Sequence, residues 1–258
     1  MTFRTALITG ASSGIGAAFA RNLPRATNLL LTGRDHEKLV ALAGELALNG
    51  REIRTVTADL TTAEGRHAVI GAAQDARIDL LINNAGIGRI GRVVDNTPER
   101  EAEIVQVNVV APAEITRALL PDMLKQAHQS QTRCGVILVA SAAAFTPLPY
   151  FATYAASKAF LLHYAEALSE EMSHEPVDIL ALCPGATETQ FFARAGVERP
   201  NFTSLHSAER VAREGLQMLG QRNVHVVGPT NYLASLVSRF LPRGWVTYAA
   251  ERVMRDWK

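Results

Sequence analysis

RTALITGASSGIG, residues 4–16, is the stretch on which the reading of this chain turns. Thr5 to Thr9 form a short apolar and β-branched run, the pattern of a buried strand. Gly10, Gly14 and Gly16 follow, with Ser12, Ser13 and Ile15 among them. Glycine lets a chain turn sharply and approach a ligand with no Cβ in the way. A helix opening at Gly14 would present unpaired N–H groups and a partial positive charge, which suits a phosphate. The spacing is Gly-x-x-x-Gly-x-Gly rather than Gly-x-Gly-x-x-Gly. Its place after the first strand points to a dinucleotide site; a plain tight turn is the alternative.

Outward from this segment, strand-like runs alternate with helical patterns. Residues 4–9, 28–32, 52–57, 78–82, 134–140, 177–183 and 224–228 read as strands, several of them apolar on both faces. Helices are expected near 14–23, 35–48, 62–75, 98–127, 152–173 and 207–220. Steady alternation predicts an α/β doubly wound fold, with a parallel sheet of about seven strands and helices on both faces. No linker or repeat interrupts it, so residues 1–230 read as one domain. In such sheets ligands sit beyond the carboxyl ends of the strands, so the residues following each strand carry the interest.

The 258 residues are 48% hydrophobic and 20% charged, as in an ordinary globular protein. A chain of this length buries a large core without disulfide or metal staples. The net charge of +1 offers no electrostatic case for nucleic-acid binding. Seven scattered histidines lack metal-ligand spacing, so no metal site is expected. Cys134 and Cys183, the two cysteines, fit a reducing compartment. The opening MTFRTALITG lacks a secretory pattern, and no run reaches the ~18 apolar residues of a membrane span. A cytoplasmic protein is the expectation.

Tyr154 and Lys158 stand four apart, on one helix face. With five tyrosines and four lysines in the chain, roughly 0.08 such pairs would arise by chance. Further motifs fall in order: Asn83-Asn84-Ala85-Gly86 after the fourth strand, Asn108 in the long helix, Ser141 after the fifth strand, and Pro184-Gly185 after the sixth. With TGASSGIG, these resemble the signature of the short-chain dehydrogenase/reductase family, over nearly the whole chain to about residue 230.

That resemblance implies a Rossmann-like fold and an oxidoreductase that moves hydride between a nicotinamide and a carbonyl or secondary alcohol. It implies that Gly10, Ser12, Ser13, Gly14, Ile15 and Gly16 border the pyrophosphate. Asp59 and Leu60 would border the adenine, and Asn83, Ala85 and Gly86 the adenosine ribose. Thr187, past Pro184 and Gly185, would reach the nicotinamide carboxamide. Gly33 stands where relatives selective for NAD carry Asp, and Arg34 can pair with a 2′-phosphate, so NADP is expected over NAD. Asp35 would either repel that phosphate or cap the following helix.

By the same resemblance Tyr154 exchanges the proton, Ser141 holds the substrate oxygen, and Asn108 holds a water that relays protons to the lysine. Lys158 would also hold the nicotinamide ribose. A tyrosine titrates near 10, too high for easy exchange at neutrality, and a neighbouring ammonium would lower it. A nucleotide-sensing module without catalysis is the competing reading, but a sensor needs only the glycine turn.

Residues 145–151 (FTPLPYF) and a long loop over 186–204, with Phe191, Phe192 and Phe202, would line the substrate cleft. Their aromatic content points to a hydrophobic small-molecule substrate, or simply to a lid packed on the body. Beyond residue 230, apolar residues recur from Tyr232 to Leu241 and, past Pro242, from Trp245 to Trp257. They predict two amphipathic helices broken by proline. With five cations against two acids over 230–258, this tail would either pack on its own domain or a neighbouring subunit, or lie on an anionic membrane. Relatives with this resemblance are commonly homodimers or homotetramers, joined through helices near 98–127 and 152–173.

Overall fold

The computed structural model describes residues 2–47, 50–197 and 205–255. Seven strands form one parallel sheet: β1 (Thr5–Thr9), β2 (Asn28–Gly33), β3 (Ile53–Thr57), β4 (Leu80–Asn83), β5 (Cys134–Val139), β6 (Val177–Cys183) and β9 (Val224–Val226). Their spatial order is β3-β2-β1-β4-β5-β6-β9. The order reverses between β1 and β4, which opens a crevice beyond their carboxyl ends.

Side-chain alternation along the strands builds two cores. Leu7, Leu30, Leu81, Val136, Leu138 and Ile179 face one side. Helices α3 (Ala63–Ala76), α5 (Ala111–Ser130) and α6 (Ala152–Glu171) cover it with Val69, Ile115, Leu119, Leu161 and Leu168. Ile8, Leu29, Leu31, Ile82, Ile137 and Leu182 face the other side. There α1 (Gly14–Asn22), α2 (His36–Leu46) and α8 (Ala208–Met218) supply Phe19, Leu39, Leu42 and Val211. Every residue of β5 is buried, as a central strand of a doubly covered sheet requires.

The structure departs from the sequence reading in three places. The helix expected over 98–127 is divided into α4 (Pro98–Val105), a π-helical turn (Gln106–Val110) and α5. Local periodicity does not reveal such a turn, and Asn108 sits in it. The long loop after β6 contains structure of its own. In it β7 (Thr187–Glu188) pairs with β8 (His206–Ser207), and α7 (Phe191–Arg194) lies between them.

The third departure lies beyond β9. As expected, α9 (Pro229–Phe240) and α10 (Arg243–Met254) are separated at Pro242. Most of their apolar residues, however, face solvent, including Leu233, Val237, Phe240, Trp245 and Val253. Leu48, Phe202, Asp256, Trp257 and Lys258 lie outside the described residues, as does the side chain of Arg239. Among the described residues no helix is long and apolar enough to cross a membrane, and no cluster of His, Cys, Asp or Glu could hold a metal ion.

Candidate active site

A cavity of about 810 Å³ runs along the carboxyl edge of the sheet, from Arg34 at one end to Tyr154 and the α7 aromatics. Its floor begins at the turn after β1. Gly10 and Gly14 have positive φ, 66° and 56°, a conformation other residues adopt at a cost. An added Cβ at Gly16 would collide with the Gly10 carbonyl, so α1 can approach the turn closely only with glycine there. Ser13, the N-cap of α1, makes no side-chain cap bond, and no acidic residue occupies the first helical turn. The helix start therefore offers uncapped N–H groups and uncompensated positive charge to the cavity.

Gly10, Ser12, Ser13, Gly14, Ile15, Arg34, Asp59, Leu60, Ala85 and Gly86 all line this cavity, as do Pro184, Gly185 and Thr187. Gly16 and Asn83 are not among its walls. Asn83 is turned into the core, where its Nδ2 donates to Thr116 Oγ1 at 2.9 Å. Asn84 lines the cavity in its place and ties the two turns together. Its Nδ2 donates to the carbonyls of Thr9 and Gly10, and the Thr9 hydroxyl accepts from the backbone N–H groups of Asn84 and Ala85, both at 3.0 Å.

At the Arg34 end Asp35 caps α2, and its carboxylate also lines the cavity. The Lys38 backbone N–H donates to its carboxylate at 3.1 Å, and the Lys38 ammonium pairs with it at 2.5 Å. The Lys38 side chain, with that backbone bond, holds the Asp35 carboxyl below its usual range. At Asp59, burial works to raise the carboxyl. Bonds from the Thr61 N–H and hydroxyl, and the Arg34 charge, outweigh burial and hold it low.

Three of the four expected catalytic residues meet at the other end. Ser141 caps a short 3₁₀ turn (Ala142–Phe145) after β5, its Oγ accepting from Ala143 N at 3.1 Å. Tyr154 and Lys158 project from α6 into the cavity. The Lys158 ammonium donates to the Val139 carbonyl at 2.8 Å and stands 5.8 Å from the centroid of the Tyr154 ring. Burial pushes the Tyr154 phenol up to about 12, against a hydrogen bond from Ser141 that pulls it down. Burial also pushes the Lys158 ammonium down to about 8. This corrects the sequence expectation that the ammonium lowers the phenol: in this site desolvation of the phenolate is the larger effect.

Asn108 is fully buried and does not line the cavity. Its Oδ1 accepts from Ile87 N, and its Nδ2 donates to Ile87 O and Ser157 Oγ, all at 2.9 Å. The π-turn thus carries a clamp on the loop after Gly86. Ile87 and Ser157 stand outside every recognised motif, so sequence reading missed both. Thr187 donates to the Gly185 carbonyl at 3.0 Å.

Around Tyr154 the walls are aromatic. Its ring stacks on Phe151 at 4.2 Å and tilts against Phe191 at 5.2 Å, and Phe192 meets Phe191 edge-on. These rings both pack the lid and line the cavity. His206 and Met254 complete the lining from distant parts of the chain. Nothing local to those two residues marks them.

A doubly wound parallel sheet whose carboxyl edge carries an uncapped glycine turn and a Ser-Tyr-Lys group is the architecture of a nucleotide-dependent oxidoreductase. Residues 4–199 match the family described as short chain dehydrogenase. Dehydrogenase/reductase SDR family member 7B of Bos taurus is 30% identical over 98% of this chain and 82% of its own length. A short-chain dehydrogenase from Sphingobium yanoikuyae, solved in complex with NADPH, is 30% identical and superposes with a TM-score of 0.78 over 92% of this chain and 93% of that one. A bulky-bulky ketone specific alcohol dehydrogenase from Comamonas testosteroni is 26% identical, with a TM-score of 0.75 over 93% of each chain. The chain belongs to the short chain dehydrogenase family, and is an NAD(P)-dependent oxidoreductase acting on hydroxyl and carbonyl groups.

Proposed function

We propose that this protein is an NADP-dependent reductase and dehydrogenase of a bulky, hydrophobic carbonyl/secondary alcohol pair, with Ser141, Tyr154 and Lys158 as its catalytic residues. The observation that carries the reading is the single cavity joining the uncapped α1 start to the Tyr154 phenol.

The residues fit the cofactor. Gly10 to Ile15 would hold its pyrophosphate, Asp59 and Leu60 its adenine, and Asn84 to Gly86 the adenosine ribose. Lys158 would hold the nicotinamide ribose and Thr187 the carboxamide. Arg34 would pair with a 2′-phosphate, and the ion pair of Asp35 with Lys38 offsets part of the carboxylate's repulsion. Gly16 and Asn83, away from the cavity, would act by supporting the turn. When bound, the nicotinamide supplies or accepts the hydride.

The remaining chemistry belongs to the chain. In reduction the substrate oxygen gains negative charge. The Ser141 hydroxyl donates a hydrogen bond to it and the Tyr154 phenol gives it a proton. A phenol held up at about 12 is fully protonated near neutrality and ready to donate. The buried Lys158 ammonium stabilises the phenolate left behind. Asn108, in the π-turn, is a positioning residue that keeps Ile87 and Ser157 in place. Phe151, Phe191 and Phe192 exclude water and present apolar faces to the substrate.

The reading includes one domain over residues 1–230, with 231–258 an extension attached to it. Self-association would occur through α5 and α6, where Phe160 stacks on Tyr164 at the surface. Cys134 and Cys183 are free buried thiols, in keeping with a cytoplasmic setting.

The test is Tyr154→Phe. NADPH binding, read by nucleotide fluorescence, is expected to be unchanged. Turnover of bulky aryl ketones is expected to fall by about a hundredfold to ten-thousandfold. Wild-type turnover in the variant would remove the proposal.

A further inference from the structure

Helix α9 is packed inside out. Its side toward the body is mainly polar, with Leu236 half-buried: Ser235 is 7% exposed, Ser238 Oγ donates to the Phe145 carbonyl, and Asn231 Nδ2 donates to the Val227 carbonyl. Its outward side carries Leu233, Val237, Phe240 and Leu241, spaced four, three and one residues apart, which makes one stripe. Phe240 is 86% exposed and Leu233 62%. A surface helix packed for its own stability has the opposite arrangement.

Past Pro242, Trp245, Tyr248 and Val253 are also more than half exposed. This surface is held to the body. Tyr150 Oη donates to Glu251 Oε1 at 2.9 Å, and Met254 is buried against the cleft.

The same stretch concentrates positive charge. Residues 229–255 contain Arg239, Arg243, Arg252 and Arg255 against Glu251 alone, in a chain of net charge +1. Arg255 pairs with Glu251. Arg252 lies over the Tyr248 ring at 4.8 Å and donates to its hydroxyl, so the pair forms one amphipathic surface. Aliphatic and phenylalanine side chains beside Trp, Tyr and Arg match the layering of a bilayer interface. Acyl chains take the first, the headgroup level the aromatic amphiphiles, and lipid phosphates the arginines. A second copy of this chain would instead bring the same excess of arginines to both sides of one interface, whereas an anionic lipid surface neutralises it.

We propose that the α9–α10 segment is a peripheral membrane-docking surface. It lies flat on a bilayer containing anionic phospholipid, with Phe240, Leu241 and Trp245 at the acyl boundary and Arg243 and Arg252 at the phosphates. The proposal stands independently of the catalytic assignment.

The experiment is vesicle flotation of the full chain. Vesicles of phosphatidylcholine alone are compared with vesicles that also contain phosphatidylserine. Wild type is expected to float with the mixed vesicles, with affinity about tenfold or more above that for phosphatidylcholine alone. Arg243→Ala and Arg252→Ala are each expected to weaken binding about fivefold. The double variant Phe240→Ser/Trp245→Ser is expected to remain in the unbound fraction. Both positions are exposed, so its unfolding midpoint should match wild type, and light scattering reads its mass in parallel. Three results would overturn the proposal: no flotation of wild type, flotation indifferent to phosphatidylserine or to the double substitution, or a wild-type dimer that the double substitution dissociates.

Discussion

The Lys158 ammonium lies 5.8 Å from the centroid of the Tyr154 ring and gives a hydrogen bond to the Val139 carbonyl. The two groups occupy one buried pocket and respond to it in opposite directions. Burial disfavours charge, so the phenol holds its proton up to about 12 and the amine begins to lose its proton near 8. Near neutrality the site is therefore a neutral donor beside a charged amine.

That state sets a pH dependence. Reduction needs the protonated phenol and the ammonium, so its rate should be level below about 8 and fall as pH rises through that value. Oxidation needs the phenolate beside the same ammonium, so its rate should rise with pH up to about 8 and level off above it. Steady-state kcat/KM in both directions checks this, and a reduction rate that climbs through that interval contradicts it.

Lys158→Met should separate stability from activity. An unfolded lysine keeps its proton to 10.5, whereas the folded one loses it near 8. Between those values the unfolded state binds more protons, so wild-type stability rises with pH. Below about 8 the full cost of burying the ammonium remains, on the order of 3 kcal/mol. The methionine variant should be the more stable protein at neutral pH, with the gap closing as pH rises toward 10.5, while turnover falls about a hundredfold or more. Denaturant midpoints at several pH values test the first part; a variant less stable at neutral pH would count against it.

Arg34→Ala is expected to raise KM for NADPH about tenfold to a hundredfold, the worth of a charge-assisted contact to phosphate. KM for NADH should change little. Equal effects on both cofactors would mean that Arg34 reads something other than a 2′-phosphate.

Asn108→Leu removes one buried and two partly buried hydrogen bonds and leaves the Ile87 N–H and C=O without that partner. A loss of about 2–5 kcal/mol in unfolding free energy is expected. If Asn108 positions the site, kcat should fall with KM for cofactor nearly unchanged, and Asn108→Asp should recover part of it by accepting from Ile87 N. A purely structural role would lower stability in both variants and leave kcat alone.

Much of this protein was legible before folding was considered. RTALITGASSGIG carries its own explanation, because positive φ at Gly10 and Gly14 and the close approach at Gly16 are properties of glycine in a short segment. Tyr154 and Lys158 share a helix face by spacing alone. Strand periodicity was equally local, and the seven strands of the main sheet appear close to their expected positions. The π-turn at Gln106–Val110 was not legible, since a single extra residue in a helical turn leaves the apolar pattern almost intact. Nor was the direction faced by α9, because amphipathicity defines two sides of a helix and does not say which one is covered.

The sequence by itself determined the order of strands and helices, the glycine turn after β1 and the placing of Tyr154 and Lys158 on one helix face. Each depends on neighbours a few residues apart, through backbone sterics and helical or strand period. Tertiary structure alone decided that Asn84 rather than Asn83 faces the cavity, that Asn108 clamps Ile87, and that Met254 closes a cleft begun at Gly10. It also decided the titration of Tyr154 and Lys158. Desolvation is set by everything packed around a group, and the groups packed here come from strands, loops and helices far apart in the chain.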